Sequence, residues 1–176
     1  MMKRFATAIA ALAFAGTAAT AQNPSPIELG LDAGITIGLG DNSFTVIDIP
    51  AQSLRAGFPI GTRTSLEPKL GMTIITGDGD TFTTYQAEIG LLYHLGSSRY
   101  PGAYHRAGLF VRPFLGIVGF SNGNSESNGY AGAGLGFKMP LLSRLSARYE
   151  ANFAHQFGDG DANQIGLLAG LSFFTR

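Results

Sequence analysis

The sequence predicts an all-β protein: an eight-stranded antiparallel up-and-down transmembrane β-barrel. Three observations carry that reading. Apolar and polar residues alternate at period two along most of the chain, and clusters of Gly, Asn and Asp separate the alternating runs. The polar positions hold glycine and charge, while the opposite positions are nearly all hydrocarbon. Successive side chains of a strand point to opposite faces, so this period marks strands with one apolar face.

Residues 1–21 come first and read as a secretory signal peptide. Lys3 and Arg4 precede an apolar run from Phe5 to Gly16, and small residues stand at Ala19 and Ala21. Those are the charged, apolar and cleavage regions of an export signal, and the run is shorter than the ~20 residues a membrane helix needs. Cleavage after Ala21 would leave residues 22–176 as one barrel domain.

The first strand follows, with Ile27, Leu29, Leu31, Ala33, Ile35, Ile37 and Leu39 on one face and Glu28, Gly30, Asp32, Gly34, Thr36 and Gly38 on the other. The second, about Phe44 to Ile60, is interrupted at Pro50, and a bulge over Pro50 to Ser53 accounts for its change of phase. Beyond it Leu54, Ala56, Phe58 and Ile60 oppose Arg55 and Gly57. Leu66 to Ile74 carries Glu67 and Lys69 on its polar face, and Tyr85 to Tyr93 carries Gln86, Glu88 and His94. Leu109 to Ile117 carries Arg112, Ala131 to Met139 carries Lys138, and Leu145 to Phe153 carries Arg144, Arg148 and Glu150. Ile165 to Phe173 closes the series. The connections are turn formers: Gly40–Ser43, Gly61–Thr64, Gly77–Asp80, Ser121–Ser127, Pro140–Ser143 and Gly158–Asp161. Short hairpin turns favour Gly, Asn and Asp because these tolerate positive φ. Gly96 to His105 is the one long connector.

Composition removes several classes. The 176 residues hold 45% hydrophobic side chains, too many for a disordered chain, and the 25 glycines follow no collagen period. Without cysteine there is no disulfide framework and no thiolate metal site. Twelve cations balance twelve anions, so the basic excess of a nucleic-acid binder is missing.

The direction of the two faces sets the environment. A soluble lipocalin-like barrel turns its apolar face inward around a ligand. Here the polar face is narrow and glycine-rich, and its charges nearly cancel: Arg55, Lys69, Arg112, Lys138, Arg144 and Arg148 against Glu28, Asp32, Glu67, Glu88 and Glu150. Turned inward, glycine leaves room and the charges pair across the bore. The other face is then an apolar band suited to lipid, with Phe58, Tyr85, Tyr93, Phe137, Tyr149 and Phe153 as an outer-face aromatic girdle near strand ends. An interior of this kind, with Phe110, Phe114 and Phe120 among the charges, reads as a salt-bridged plug. The alternative is a selectivity ring in a small-solute channel.

With these strands on the page, Arg55-Ala-Gly-Phe-Pro-Ile-Gly-Thr-Arg-Thr-Ser-Leu-Glu-Pro68 and Gly90-Leu-Leu-Tyr-His-Leu95 resemble the small OmpA-like and OmpX-like porin-family barrels of the bacterial outer membrane. The resemblance implies a structural or surface-contact role in that membrane. It also implies contact with lipid and with the insertion machinery that reads C-terminal aromatics, here Phe173 and Phe174. An even strand number puts both termini in the periplasm, so the loops with Asp41, Asp78, Asp80, Glu126, Asp159 and Asp161 face outside.

No enzyme, cofactor or metal site is expected. The Gly77–Asp80 and Gly158–Asp161 loops offer two carboxylates each, short of a calcium ligand set, and read as turns. His94 sits on the inner face, His105 in the long connector, and His155 at the rim near Asp159 and Asp161. No serine stands beside that rim histidine in a nucleophile motif.

Overall fold

A computed structural model describes residues 26–39, 45–48, 53–77, 80–96, 107–122, 124–158 and 161–175. Nine strands run in chain order: β1 (Glu28–Leu39), β2 (Thr45–Asp48), β3 (Ser53–Pro59), β4 (Thr64–Gly77), β5 (Asp80–His94), β6 (Gly108–Asn122), β7 (Asn124–Leu142), β8 (Leu145–Phe157) and β9 (Ala162–Phe174). Every neighbouring pair is antiparallel, and β1 pairs with β9 from Glu28–Phe174 to Leu39–Asn163, which closes the sheet on itself. Closure gives most of the wall a partner strand on both sides, which satisfies its backbone donors and acceptors; among the described pairings β2 is joined to β1 alone, and β4 beyond Gly71 to β5 alone.

Nine elements make eight staves because β2 and β3 are two pieces of one. Both pair with the same edge of β1, β2 through Ile37–Thr45 and β3 through Leu31–Leu54. The register of β3 is offset from that of β2 by three residues. An odd offset exchanges faces, so an odd-numbered residue opposes an outward apolar residue before Pro50 and an even-numbered one after it. That is the phase change expected over Pro50 to Ser53.

Two connections differ from the expected loops. Ser121 pairs with Ser125 and Asn122 with Asn124, so the β6–β7 hairpin runs through most of the Ser121–Ser127 segment. Ladder pairing there satisfies the backbone of residues that would otherwise need water. At the other end Leu142 pairs with Leu145 after an irregularity at Pro140, which shortens the expected Pro140–Ser143 turn to Ser143 and Arg144. Gly158, just past β8, has a φ of +118°, and a side chain there would strike Asn128. Its N–H donates to the Asp161 carboxylate at 3.2 Å, so this aspartate serves the turn. The signal segment 1–21, the Gly40–Ser43 turn and Asp41, Asp78, His105 and Asp159 lie outside the described residues.

The wall is inverted relative to a soluble protein. Leu54 is 68% exposed, Met72 63%, Leu115 61% and Leu167 58%, and outward Leu, Ile, Phe and Tyr continue around all the long staves. The buried set is dominated by ions. Water opposes such an arrangement, and a hydrocarbon solvent favours it.

Candidate functional site

The site is the bore itself. Alternation on every stave turns one set of positions inward, and closure brings Glu28 and Asp32 of β1, Arg55 of β3, Glu67 and Lys69 of β4, and Glu88 of β5 into one layer. Arg112 of β6, Lys138 of β7, and Arg148 and Glu150 of β8 complete it. All ten are buried.

Glu67, with no exposed surface, stands at the centre. Its carboxylate accepts from Arg148 at 3.0 Å and lies 3.6 Å from Arg55, 3.7 Å from Lys138 and 4.0 Å from Arg112. Arg112 donates to Glu88 at 2.5 Å and to Glu150 at 2.8 Å. Arg148 donates to the other Glu150 oxygen at 2.6 Å. On the opposite wall Arg55 donates to Glu28 at 2.6 Å, to Asp32 at 3.1 Å and to Ser172 at 3.0 Å. Ser172 in turn donates to Glu28 at 2.6 Å, and Lys138 donates to the second Glu28 oxygen. Arg148 and Glu150 meet along one strand and Arg55 and Glu28 across a strand pair, while Glu67–Arg148 and Lys138–Glu28 span the bore; all are shielded from water, which strengthens ion pairing.

Glycine on the adjacent strands makes the room. Gly30 is the register partner of Arg55, Gly134 of Arg112 and Gly170 of Asp32. A side chain at Gly90 would lie 2.5 Å from Arg112 Nη1, and one at Gly134 the same distance from Glu150 Oε1. Aromatic rings from β6 flank the ions. Phe110 lies 4.6 Å from the Arg148 guanidinium and 5.7 Å from the Lys138 ammonium, and Phe114 lies 4.7 Å from that of Arg112.

Two of the eleven charges named from the sequence sit differently. Arg144 is half-buried in the β7–β8 turn and not in the strand wall, because the Leu142–Leu145 pair closes the hairpin before it. Lys69 is buried, yet no acid among the described residues lies within 4.0 Å of its ammonium; Glu88, its register partner, is held by Arg112 and by the Tyr130 hydroxyl. Phe120 faces the bore at its far end, where it is 39% exposed.

The aromatic positions on the outer wall form two groups. Phe58, Tyr93, Phe137 and Tyr149 lie toward the end that carries both termini, with Phe137 paired to Tyr149. Tyr85 and Phe153 lie away from their strand ends, in the other half of the wall. Tyr85 is half-buried because its ring folds over Gly119 on β6.

Several interior residues escaped the sequence reading. Leu92 is fully buried at the inward position between Gly90 and His94, and alternation alone would have found it had its apolar character not masked it. Tyr130 accepts from Gln86 at 2.7 Å and donates to Glu88 at 3.0 Å. It stands one position before the run that began at Ala131. At the rim, His155 Nδ1 lies 3.1 Å from Asn163 Oδ1. Among the described residues no cluster of three His, Cys, Asp or Glu side chains is arranged to hold a metal.

A closed antiparallel barrel with a hydrocarbon outer wall and an ionic bore is a transmembrane β-barrel of the outer-membrane kind. Comparison with known proteins agrees: the family described as outer membrane protein beta-barrel domain matches residues 6–173, and the chain belongs to that family. Its place is therefore the bacterial outer membrane. Among solved structures, Neisserial surface protein A is similar, with 13% identity, a TM-score of 0.62, and coverage of 84% of this chain and 96% of that one. Ail, the attachment invasion locus protein of Yersinia pestis, is also similar, with 10% identity, a TM-score of 0.51, and coverage of 86% and 99%. At these identities the likeness is one of fold. No curated protein matches the chain.

Proposed function

We propose that this barrel serves the outer membrane as a structural and surface-contact protein, with its bore closed by the ionic layer. One observation supports the reading above the others: eleven ion pairs within 4.0 Å among the described residues join acids and bases whose side chains are 7% exposed or less. An eight-stranded bore is just wide enough for side chains to fill, and here Leu92, Phe110 and Phe114 occupy it together with the ions. The reading gives the chain no catalytic role and no cofactor. Residues 1–21 act as the cleaved export signal, the insertion machinery and the lipid bilayer are the partners during and after assembly, and the end carrying both termini faces the periplasm. The hairpin tips at the other end, which include the exposed Glu126 and Asp161, meet whatever surface partner exists.

Reconstitution in planar lipid bilayers tests the closed bore. The purified chain is expected to insert without steady ohmic steps. Regular ion-selective steps from the wild-type chain would favour the small-solute channel instead.

A further inference from the structure

We propose that Lys69 anchors a binding site for a small monovalent anion, on the side of the ionic layer away from the termini. Lys69 faces the bore on β4, between Arg55 of β3 and Glu88 of β5. It is 8% exposed. The other four buried cations of the bore each have two or three acids within 4.0 Å. Lys69 has none among the described residues. Its two register partners are committed elsewhere, Arg55 to Glu28, Asp32 and Ser172, and Glu88 to Arg112 and Tyr130. An ammonium carries three donors, and that of Lys69 is not among the buried atoms left without a partner, so it opens onto accessible space in this half of the bore.

The next inward position along β4 is Gly71, whose register partners are Ser53 on β3 and Gln86 on β5. Both side chains are half-buried; the Ser53 hydroxyl can donate, and the Gln86 amide, which gives one hydrogen to Tyr130, keeps a second. Beyond them the bore is lined by the neutral, half-buried Thr84, Asn152, Gln156 and Gln164, with no second cation among the described inward residues. The charge balance limits the ligand. The bore holds five buried cations, Lys69 included, and five buried acids, so the surround of this ammonium carries one net negative charge and repels a dianion more than a monoanion. A singly charged group, whether chloride or the carboxylate end of a small solute, matches that single ammonium. The site requires only that this half of the bore meet water, and it stands whether or not the ionic layer blocks conduction.

The test is titration of the full-length mature chain in lipid nanodiscs with sodium chloride, sodium acetate and sodium sulfate at constant ionic strength, read by backbone amide NMR shifts. Saturable shifts at Ser53, Gly71 and Gln86 are expected with chloride or acetate, and much weaker ones with sulfate. Lys69→Gln should weaken that binding roughly tenfold or more, the scale of one charge-assisted hydrogen bond. Response to chloride would assign an inorganic ion, and response to acetate alone a carboxylate. Shifts that never saturate, or that persist unchanged in Lys69→Gln and Lys69→Met, would overturn the site. Failure of both variants to fold would also overturn it, because the proposal rests on Lys69 having no structural partner.

Discussion

Glu67→Gln is expected to cost the barrel about 3–5 kcal/mol, the scale for removing one member of a buried ionic cluster. Glu67 is fully buried, and four cations lie within 4.0 Å of its carboxylate: Arg55, Arg112, Lys138 and Arg148. The amide has nearly the same shape, so cavity formation contributes little and the loss reports charge. The surviving acids cannot take over. Glu28 and Asp32 already hold Arg55 and Lys138, and Glu88 and Glu150 already hold Arg112 and Arg148. Reversible urea unfolding in lipid vesicles should show a clear fall in the midpoint. Lys69→Met, which breaks no ion pair among the described residues, should leave the midpoint unchanged or raise it. Equal losses in the two variants would show that burial alone, and not pairing, sets the energetics of the bore.

Gly134→Val should be nearly as damaging for a steric reason. Gly134 pairs with Arg112 on one side and Asn152 on the other, and its missing side chain is the space in which Glu150 lies. Overpacking a filled interior costs about 1–3 kcal/mol by itself. Displacing Glu150 would also strip Arg112 and Arg148 of a shared partner. Gly129→Ala is the matched control, because a side chain there meets only the Gly116 carbonyl, at 3.9 Å. Its effect should stay within roughly 0.5 kcal/mol. The folded fraction recovered after refolding into vesicles, with the unfolding midpoint, reads both.

These two residues show how far the sequence alone could go. Period two places Glu67 and Gly134 inward, and a side chain at Gly30, Gly90 or Gly134 would meet an ion of the bore. The pairing of Glu67 with four cations was out of reach, because side-chain meetings across a barrel depend on inter-strand register, and alternation does not encode register. Arg144 illustrates the same limit: its parity matched Arg148, but the early Leu142–Leu145 pair left it in a turn. Parity also placed Lys69 in the charge layer, while its lack of an acid partner depends on Arg112 and Tyr130 claiming Glu88 first. Leu92 and Leu168 went unnoticed for another reason. An apolar residue at a polar-face position breaks the visible pattern, and Leu168 lies over Gly34 much as the ions lie over their own glycines. The stave interrupted at Pro50 was legible because an odd offset must change the phase of the alternation.

Electrophoresis of an isolated outer-membrane fraction in SDS, unboiled beside boiled, tests the inverted closed barrel most directly. A barrel that hides its ions and presents hydrocarbon to the detergent should stay folded until heated, and so migrate at a different apparent mass before boiling. Identical mobility, with the protein recovered from the soluble periplasmic fraction, would contradict the account.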